Sequence, residues 1–380
     1  MHRVDRWNRI SPVPASGRAA PGDLVAPQRT RDDRGSAPPG RLARKTVGRS
    51  EMPMGQMTAA TQRSYGDPSR LTVTKVERPK PGPTDVLVEV RAAGISPGDR
   101  AMVTGIPYVN RLAASGPLRP RQPIPGFDCA GIVHSTGEEV TGFAAGDRVF
   151  GNGNGTLADF TVAPQEQLVS IPAGWTFAQA AAVPESGCVA LQAVRDRGEI
   201  KPDHNVAIIG AGGGVGCFAL QIAKAAGAHV TGVCGKRMLE EVRELGADDV
   251  IDYHVRSLAD TGRSYDVIVD TAGATPLRHL RRALTKHGAL VMVGTDHRHR
   301  VTGGLGRWLR AVLWSPLVSQ RLRPFVARPL TGEDLEHLVR LMEAGQLRPC
   351  VDRTFPLADA AEAMHYLDHR ASPGKVVVIP

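Results

Sequence analysis

The stretch Val206-Ala207-Ile208-Ile209-Gly210-Ala211-Gly212-Gly213-Gly214-Val215-Gly216 decides the fold. Four apolar residues enter a glycine-rich turn, an apolar helical pattern follows it (Phe218, Ala219, Ile222, Ala223, Ala226), and a second apolar run spans His229 to Val233. Strand, glycine turn, helix and strand together form a dinucleotide-binding unit. A β-carbon in that turn would hold the backbone away from a pyrophosphate, which needs exposed N–H groups and the positive end of a helix. The pattern Ala211-x-Gly213-x-x-Gly216 stands in the required strand-to-helix context, so Gly213, Gly214, Val215 and Gly216 are expected to meet a pyrophosphate through their backbone.

About 20 residues further on, an acidic side chain would take a ribose 2′-hydroxyl. The sequence there reads Val233-Cys234-Gly235-Lys236-Arg237, with no carboxylate. Lys236 and Arg237 can neutralise a 2′-phosphate that an Asp or Glu would repel, which favours NADPH over NADH. The alternative is that both cations are solvated at the start of the next helix.

Working outward, two rhythms divide the chain. From Leu71 to about Val169, short strands alternate with turns such as Pro79-Lys80-Pro81-Gly82-Pro83, the pattern of an irregular β domain. From Phe177 onward a helix (Phe177 to Arg197) precedes alternating strands and helices (Val206 to Ile209, His229 to Val233, Val250 to Asp252, Val267 to Asp270, Leu290 to Gly294), the pattern of a parallel sheet with helices on both faces. Helices over Glu333 to Ala344 and Asp359 to His369 and a last strand at Lys375-Val376-Val377-Val378-Ile379 are expected near the end.

The first 56 residues differ from both. They hold ten Arg, one Lys, seven Pro and six Gly and contribute +6 of the chain's net +9. Such a stretch buries too little apolar surface to offset ordering entropy and reads as a disordered basic tail. Met52, Met54 and Met57 are alternative initiators, and Asp5, Asp23, Asp32 and Asp33 argue against a transit peptide. Because the remaining residues carry only +3, the basic pI does not point to a nucleic-acid-binding body. No run is apolar enough for stable membrane insertion and no secretory pattern is visible, so a cytoplasmic enzyme is expected. The five cysteines, Cys129, Cys188, Cys217, Cys234 and Cys350, form no C-x-x-C and read as reduced, small buried residues, with Cys234 the one placed beside the phosphate site.

The chain resembles the medium-chain dehydrogenase/reductases, in their zinc-independent quinone oxidoreductase branch. The matching residues are Pro125 to Gly131, Gly142 to Phe150, Ala211 to Gly216, Leu245 to Tyr253 and Gly374 to Val378, in that family's order. The resemblance implies an α/β fold: a GroES-like irregular β domain (57–180, completed by 330–380) and a Rossmann doubly wound parallel-sheet domain (181–329), with the active site between them. It also implies a homodimer, and it places Tyr253 near the adenosine phosphate. Thr271, Gly273 and Gly294 fall at carboxyl ends of parallel strands, where ligands bind in this architecture.

Zinc-dependent relatives carry Cys and His where this chain has Ser96 and Phe127, and Phe cannot ligate zinc. No metal is therefore expected. Hydride addition to a quinone or a conjugated enone spreads the developing charge onto a remote oxygen, so modest hydrogen bonds suffice where alcohol oxidation needs a Lewis acid. NADPH-dependent reduction of a small-molecule quinone or α,β-unsaturated carbonyl is the expected activity. Enoyl-thioester reduction and a non-catalytic NADPH-binding regulator are the alternatives.

Ser96 and Tyr108 are the candidate catalytic residues, Ser96 as a hydrogen-bonding partner for a substrate carbonyl or a nicotinamide-ribose hydroxyl and Tyr108 as a donor to an enolate oxygen. Asp99 is expected to cap the helix beginning near Arg100, and Tyr108 could equally lie half-buried under its loop. Val189 stands where the family often has threonine. His297 and His299, flanked by arginines, read as a solvated loop. The apolar segment Trp308 to Leu317 fits core or lid packing, with a dimer contact or weak membrane association as the other readings.

Overall fold

A computed structural model describes residues 55–111, 116–294, 300–369 and 374–380. The expectations for residues 1–54, and for His297 and His299, lie outside the described residues. Among the described residues the first strand starts slightly before Met57, since Gln56 already pairs with Glu77.

The chain opens with β1 (Gln56–Thr61), β2 (Thr72–Glu77), β3 (Asp85–Ile95), helix α1 (Pro97–Thr104), β4 (Asp128–Thr136), β5 (Arg148–Asn152), β6 (Phe160–Pro164) and β7 (Leu168–Ser170). Helices α2 (Phe177–Ala181) and α3 (Pro184–Leu191) lead into β8 (Asn205–Ile209), α4 (Gly214–Ala225), β9 (His229–Cys234), α5 (Leu239–Glu244), β10 (Asp249–Asp252) and β11 (Tyr265–Asp270). Then come α6 (Leu277–Arg282), β12 (Leu284–Met292), α7 (Leu305–Trp314), β13 (Arg321–Pro324), α8 (Gly332–Glu343), β14 (Val351–Pro356), α9 (Ala360–His369) and β15 (Lys375–Ile379).

Two main sheets result. The first, mostly antiparallel, runs β14-β15-β3-β4-β5-β7 with β6 paired to β3, so the last strand of the chain returns beside an early one. Its core is built from Val90, Ile95, Cys129, Leu157, Met364, Val376 and Val378. The second is parallel throughout in the order β10-β9-β8-β11-β12-β13. Helices cover both its faces, which is why its strands read as continuous apolar runs rather than alternating ones. The strand order reverses between β8 and β11, leaving a crevice at their carboxyl ends.

Three expectations are corrected. The predicted helix over Phe177 to Arg197 breaks into α2, α3 and a π-helical turn at Gln192–Arg197, because Pro184 lacks the N–H that continuity would need and starts a new helix. Strand β13 was not anticipated. It is an edge strand whose arginines sit on the solvated side while Leu322 is buried, so it lacks the apolar run of its neighbours. In α7, core packing accounts for Trp308, Ala311 and Trp314 only, while Leu309, Val312 and Leu313 on the opposite face are exposed. Among the described residues no helix is long and apolar enough to cross a membrane.

Candidate active site

The crevice at the switch point opens into a cleft of about 770 Å³. Its floor is the glycine turn between β8 and α4. Gly210 has φ +79°, the left-handed region that residues with a β-carbon avoid. Its N–H and that of Ala211 both donate to the Val233 carbonyl, at 2.9 and 3.1 Å, which ties the turn to the end of β9. A Cβ on Gly216 would be driven into the Gly210 carbonyl, so the absence of a side chain there lets α4 start hard against the strand. The residue capping α4 is Gly213, which has no side chain to occupy the first-turn amides of Gly214, Val215 and Gly216. Those amides and the helix dipole make a cradle for an anion.

The remaining walls come from the carboxyl ends of the neighbouring strands, as the topology requires. After β9, Cys234, Gly235, Lys236, Arg237 and Met238 line the cleft, and after β10 Tyr253 and His254 do. Tyr253 is 58% exposed and its ring packs on His254 with centroids 4.2 Å apart. After β11, Thr271 and Ala272 close the far side, with Thr271 Oγ1 donating to the Ile209 carbonyl at 2.7 Å. The opposite wall belongs to the first sheet's elements: Pro97, Arg100 and Ala101 of α1, then Ile106, with Leu367 of α9. Among the described residues the lining thus holds Arg100, Lys236, Arg237 and His254 and no carboxylate.

Of the predicted site residues, Gly213, Lys236, Arg237, Tyr253 and Thr271 line this one cleft. Ala211 is fully buried beneath the turn, and Gly214, Val215 and Gly216 form the helix start just behind it. Gly294 lies one strand away, against the Thr271 backbone, with its N–H donating to the Asp270 carbonyl at 2.9 Å. Tyr108 is 41% exposed outside the lining, beside the Arg111 guanidinium at 4.7 Å from its ring centroid. The reasoning from sequence missed Arg100 and His254. Arg100 belongs to the same turn of sequence as Ser96, but only the folded chain brings α1 opposite the glycine turn.

Ser96, not Asp99, is the N-cap of α1. Ser96 Oγ accepts from the N–H groups of Gly98 and Asp99 and donates to Asp99 Oδ2 at 2.8 Å, and Asp99 Oδ2 accepts the Ser96 N–H at 2.7 Å in return. This capping box commits the Ser96 hydrogen to Asp99. Behind it lies a buried ionic cluster. Lys375 Nζ, from β15, reaches Asp128 Oδ2 at 3.1 Å, and Asp128 Oδ1 accepts the Glu185 N–H at 2.9 Å. Burial and then the Glu185 carboxylate push Asp99 up to about 7, and burial raises Asp128 to about 6 against the pull of Lys375. Burial would depress the Lys375 ammonium, but Asp128, Glu185 and Asp99 outweigh it and hold it raised. Cys234, although it lines the cleft, has its thiol pushed up to about 11 by burial and by Asp252, so it is protonated at neutral pH. Among the described residues no group of His, Cys, Asp and Glu is arranged to hold a metal ion.

With this geometry in place, comparison with known proteins is informative. Residues 82–193 match the alcohol dehydrogenase GroES-like domain family, and residues 245–378 match the family described as zinc-binding dehydrogenase. The chloroplast envelope quinone oxidoreductase homolog of Arabidopsis thaliana is 32% identical over 340 residues, covering 85% of this chain and 98% of the relative. The trans-enoyl reductase pgmF of Aspergillus terreus is 34% identical over 318 residues, covering 78% and 86%. The quinone oxidoreductase from Coxiella burnetii superposes with a TM-score of 0.72 at 25% identity, covering 86% of this chain and 99% of its own. The chain therefore belongs to the medium-chain dehydrogenase/reductase superfamily, in the quinone oxidoreductase branch. It is an oxidoreductase whose family implies a nicotinamide cofactor.

Proposed function

We propose that this protein reduces quinones or α,β-unsaturated carbonyls at the expense of NADPH, without zinc. The observation that carries the reading is the charge of the cleft: Lys236 and Arg237 stand at the end of β9, and among the described residues no carboxylate lines the walls. A 2′-phosphate there gains two cations and loses nothing to repulsion. The glycine turn fits the other end of the group, since its glycines leave room for a pyrophosphate and its amides face it.

When bound, the dihydronicotinamide supplies the hydride. This chain's part is to bind and orient. Gly213 to Gly216 would hold the pyrophosphate and Tyr253 the adenosine end, with Thr271 and Gly294 at the neighbouring strand ends available to the rest of the cofactor. The zinc-free assignment is supported by Ser96 and Phe127 at the positions where zinc-dependent relatives carry ligands, and by the engagement of Ser96 within its capping box. An acceptor that delocalises its charge is then the fitting substrate. Tyr108, two residues from cleft-lining Ile106, is the proposed proton donor to the substrate oxygen, and Ser96 acts by fixing α1 and hence Arg100. A cytoplasmic homodimer remains part of the proposal, and sedimentation of the purified protein tests its stoichiometry.

The test is NADPH and NADH oxidation with a panel of quinones and enones, for the wild-type chain and Lys236→Glu. Charge reversal beside a phosphate should raise KM for NADPH about 30-fold and leave that for NADH within about threefold. Equal effects on both nucleotides would remove the phosphate assignment. Similarity to the trans-enoyl reductase favours a second reading, reduction of an enoyl thioester. Faster turnover of a crotonyl thioester than of any quinone would establish it instead.

A further inference from the structure

Two cysteines separated by more than 130 positions in sequence meet behind the glycine turn. Cys217, fully buried, lies in the first turn of α4, and Cys350, partly exposed, directly precedes β14. The Cys217 sulfur lies 3.3 Å from the Gly214 carbonyl and the Cys350 sulfur 4.0 Å from the Arg348 carbonyl, and each thiol perturbs the acidity of the other. The approach is held by a clamp one helical turn on. Gln221 Nε2 donates to the carbonyls of Cys217 and Arg348, both at 3.0 Å, and Gln221 Oε1 accepts the Arg348 N–H at 2.9 Å. Residues 217 and 221, four apart on α4, therefore face the backbone at 348–350.

We propose that Cys217 and Cys350 are a redox modification site, forming a reversible disulfide that staples α4 to the C-terminal segment and disturbs the glycine turn. The co-reactant is a small-molecule disulfide such as oxidised glutathione. The Cys350 thiolate attacks one glutathione sulfur, breaking the S–S bond and releasing one glutathione thiolate. Cys217 then attacks Cys350 of the mixed disulfide, forming the Cys217–Cys350 bond and releasing the second. Two protein thiols are oxidised, one disulfide is reduced, and the two protons pass to the two glutathiones. The order follows from the surroundings: Cys350 is the accessible thiol, and the Cys217 S–H together with the Arg348 cation holds it below the usual thiol range, whereas the Cys350 partner and burial hold Cys217 well above it.

The consequence for the cleft follows from contacts on the other side of Cys350. Its carbonyl accepts the Lys375 N–H at 2.8 Å, and the Gly374 N–H donates to the Gly212 carbonyl at 3.0 Å. A Cβ on Gly374 would lie 2.7 Å from the Cys350 Cβ, so the two segments are packed without slack. A disulfide holds its sulfurs about 2.0 Å apart, inside the closest approach of two free thiols. Cys350 moves toward α4, and Gly374 and the Gly212 carbonyl of the glycine turn move with it.

The test is equilibration of the full chain in glutathione buffers of increasing oxidation, followed by non-reducing peptide mapping, thermal melting and titration with NADPH. The expected results are a Cys217–Cys350 linked peptide, a Tm raised by about 5 °C or more through closure of the long loop, and an NADPH Kd raised at least about threefold. Cys350→Ser should abolish all three, and Cys217→Ala should trap glutathione on Cys350. Both thiols remaining free in oxidised buffer, or linkage to other cysteines, would overturn the site. A linked protein with unchanged Tm and unchanged Kd would overturn the coupling to the turn. The Kd arm rests on the dinucleotide reading. If the reduced protein fails to bind NADPH, that reading fails, while the linked peptide and the Tm still decide the disulfide.

Discussion

Replacing Lys375 by Met tests the buried cluster and, through it, the joint between the first and last parts of the chain. Methionine keeps the stem that packs under Gly214 and removes only the charge. Lys375 and Asp128 are each 1% exposed and 3.1 Å apart. At an effective dielectric constant near 20, an attraction over that distance is worth about 5 kcal/mol. Breaking a buried pair by removing one partner typically costs about 3–5 kcal/mol. The variant has one escape, which is to keep Asp128 protonated. From the ordinary carboxyl value of 3.8, holding that proton costs about 6 kcal/mol at pH 8 but under about 2 kcal/mol at pH 5. The loss should therefore be about 3–5 kcal/mol at pH 8 and shrink below about 2 kcal/mol at pH 5. The wild-type cluster leans the same way: Asp99 and Asp128 have raised values in the folded chain, so their contribution is fully present below about 4 and is lost as pH rises through 6 and 7. Urea unfolding at pH 5, 6, 7 and 8 measures the difference between variant and wild type. A loss of the same size at every pH, or none at pH 8, would refute the reasoning.

The other expectations follow from single contacts. Gly216→Ala drives a methyl group into the Gly210 carbonyl, so α4 must shift off its strand; a stability loss of about 1–3 kcal/mol and at least tenfold weaker NADPH binding should appear in urea unfolding and fluorescence titration. His337, buried on α8, is held down to about 4 by burial and by Arg195 and Arg340. Its folded value lies below its unfolded value of 6.5, so stability is lost as pH falls from about 6.5 toward 4, by up to about 3 kcal/mol. His337→Gln should flatten that part of the wild-type pH profile, and an unchanged slope would count against the assignment. Tyr108→Phe should lower kcat about tenfold with KM for NADPH unmoved if the phenol supplies the proton; an unchanged kcat would return Tyr108 to a loop-packing role.

How much of this was legible before folding depends on the range over which each feature is written. The glycine turn is local: strand, turn and helix occupy consecutive residues, and the steric demand at Gly210 and Gly216 is met within seven positions. The cations at Lys236 and Arg237 were legible for the same reason, since the end of β9 lies a fixed distance along the chain from the turn. Arg100 could not be assigned this way. It faces the turn only because β15 pairs with β3 and carries α1 across the crevice. The cap of α1 was legible too, since a serine followed three residues later by a carboxylate is itself a capping signature, yet from sequence the cap falls to Asp99 alone and a substrate role to Ser96, where the structure joins both in one capping box. Lys375 shows the limit most plainly. In sequence it is a lysine opening an apolar strand, the usual sign of a solvated end. Its burial follows from Asp128 and Glu185 arriving from distant elements, and a charge enters a low-dielectric interior only where its partners are already fixed. The same holds for Cys217 and Cys350, whose spacing in the chain suggested two inert thiols. Gln221 brings them together, and a glutamine in a helix carries no mark of the backbone it will hold.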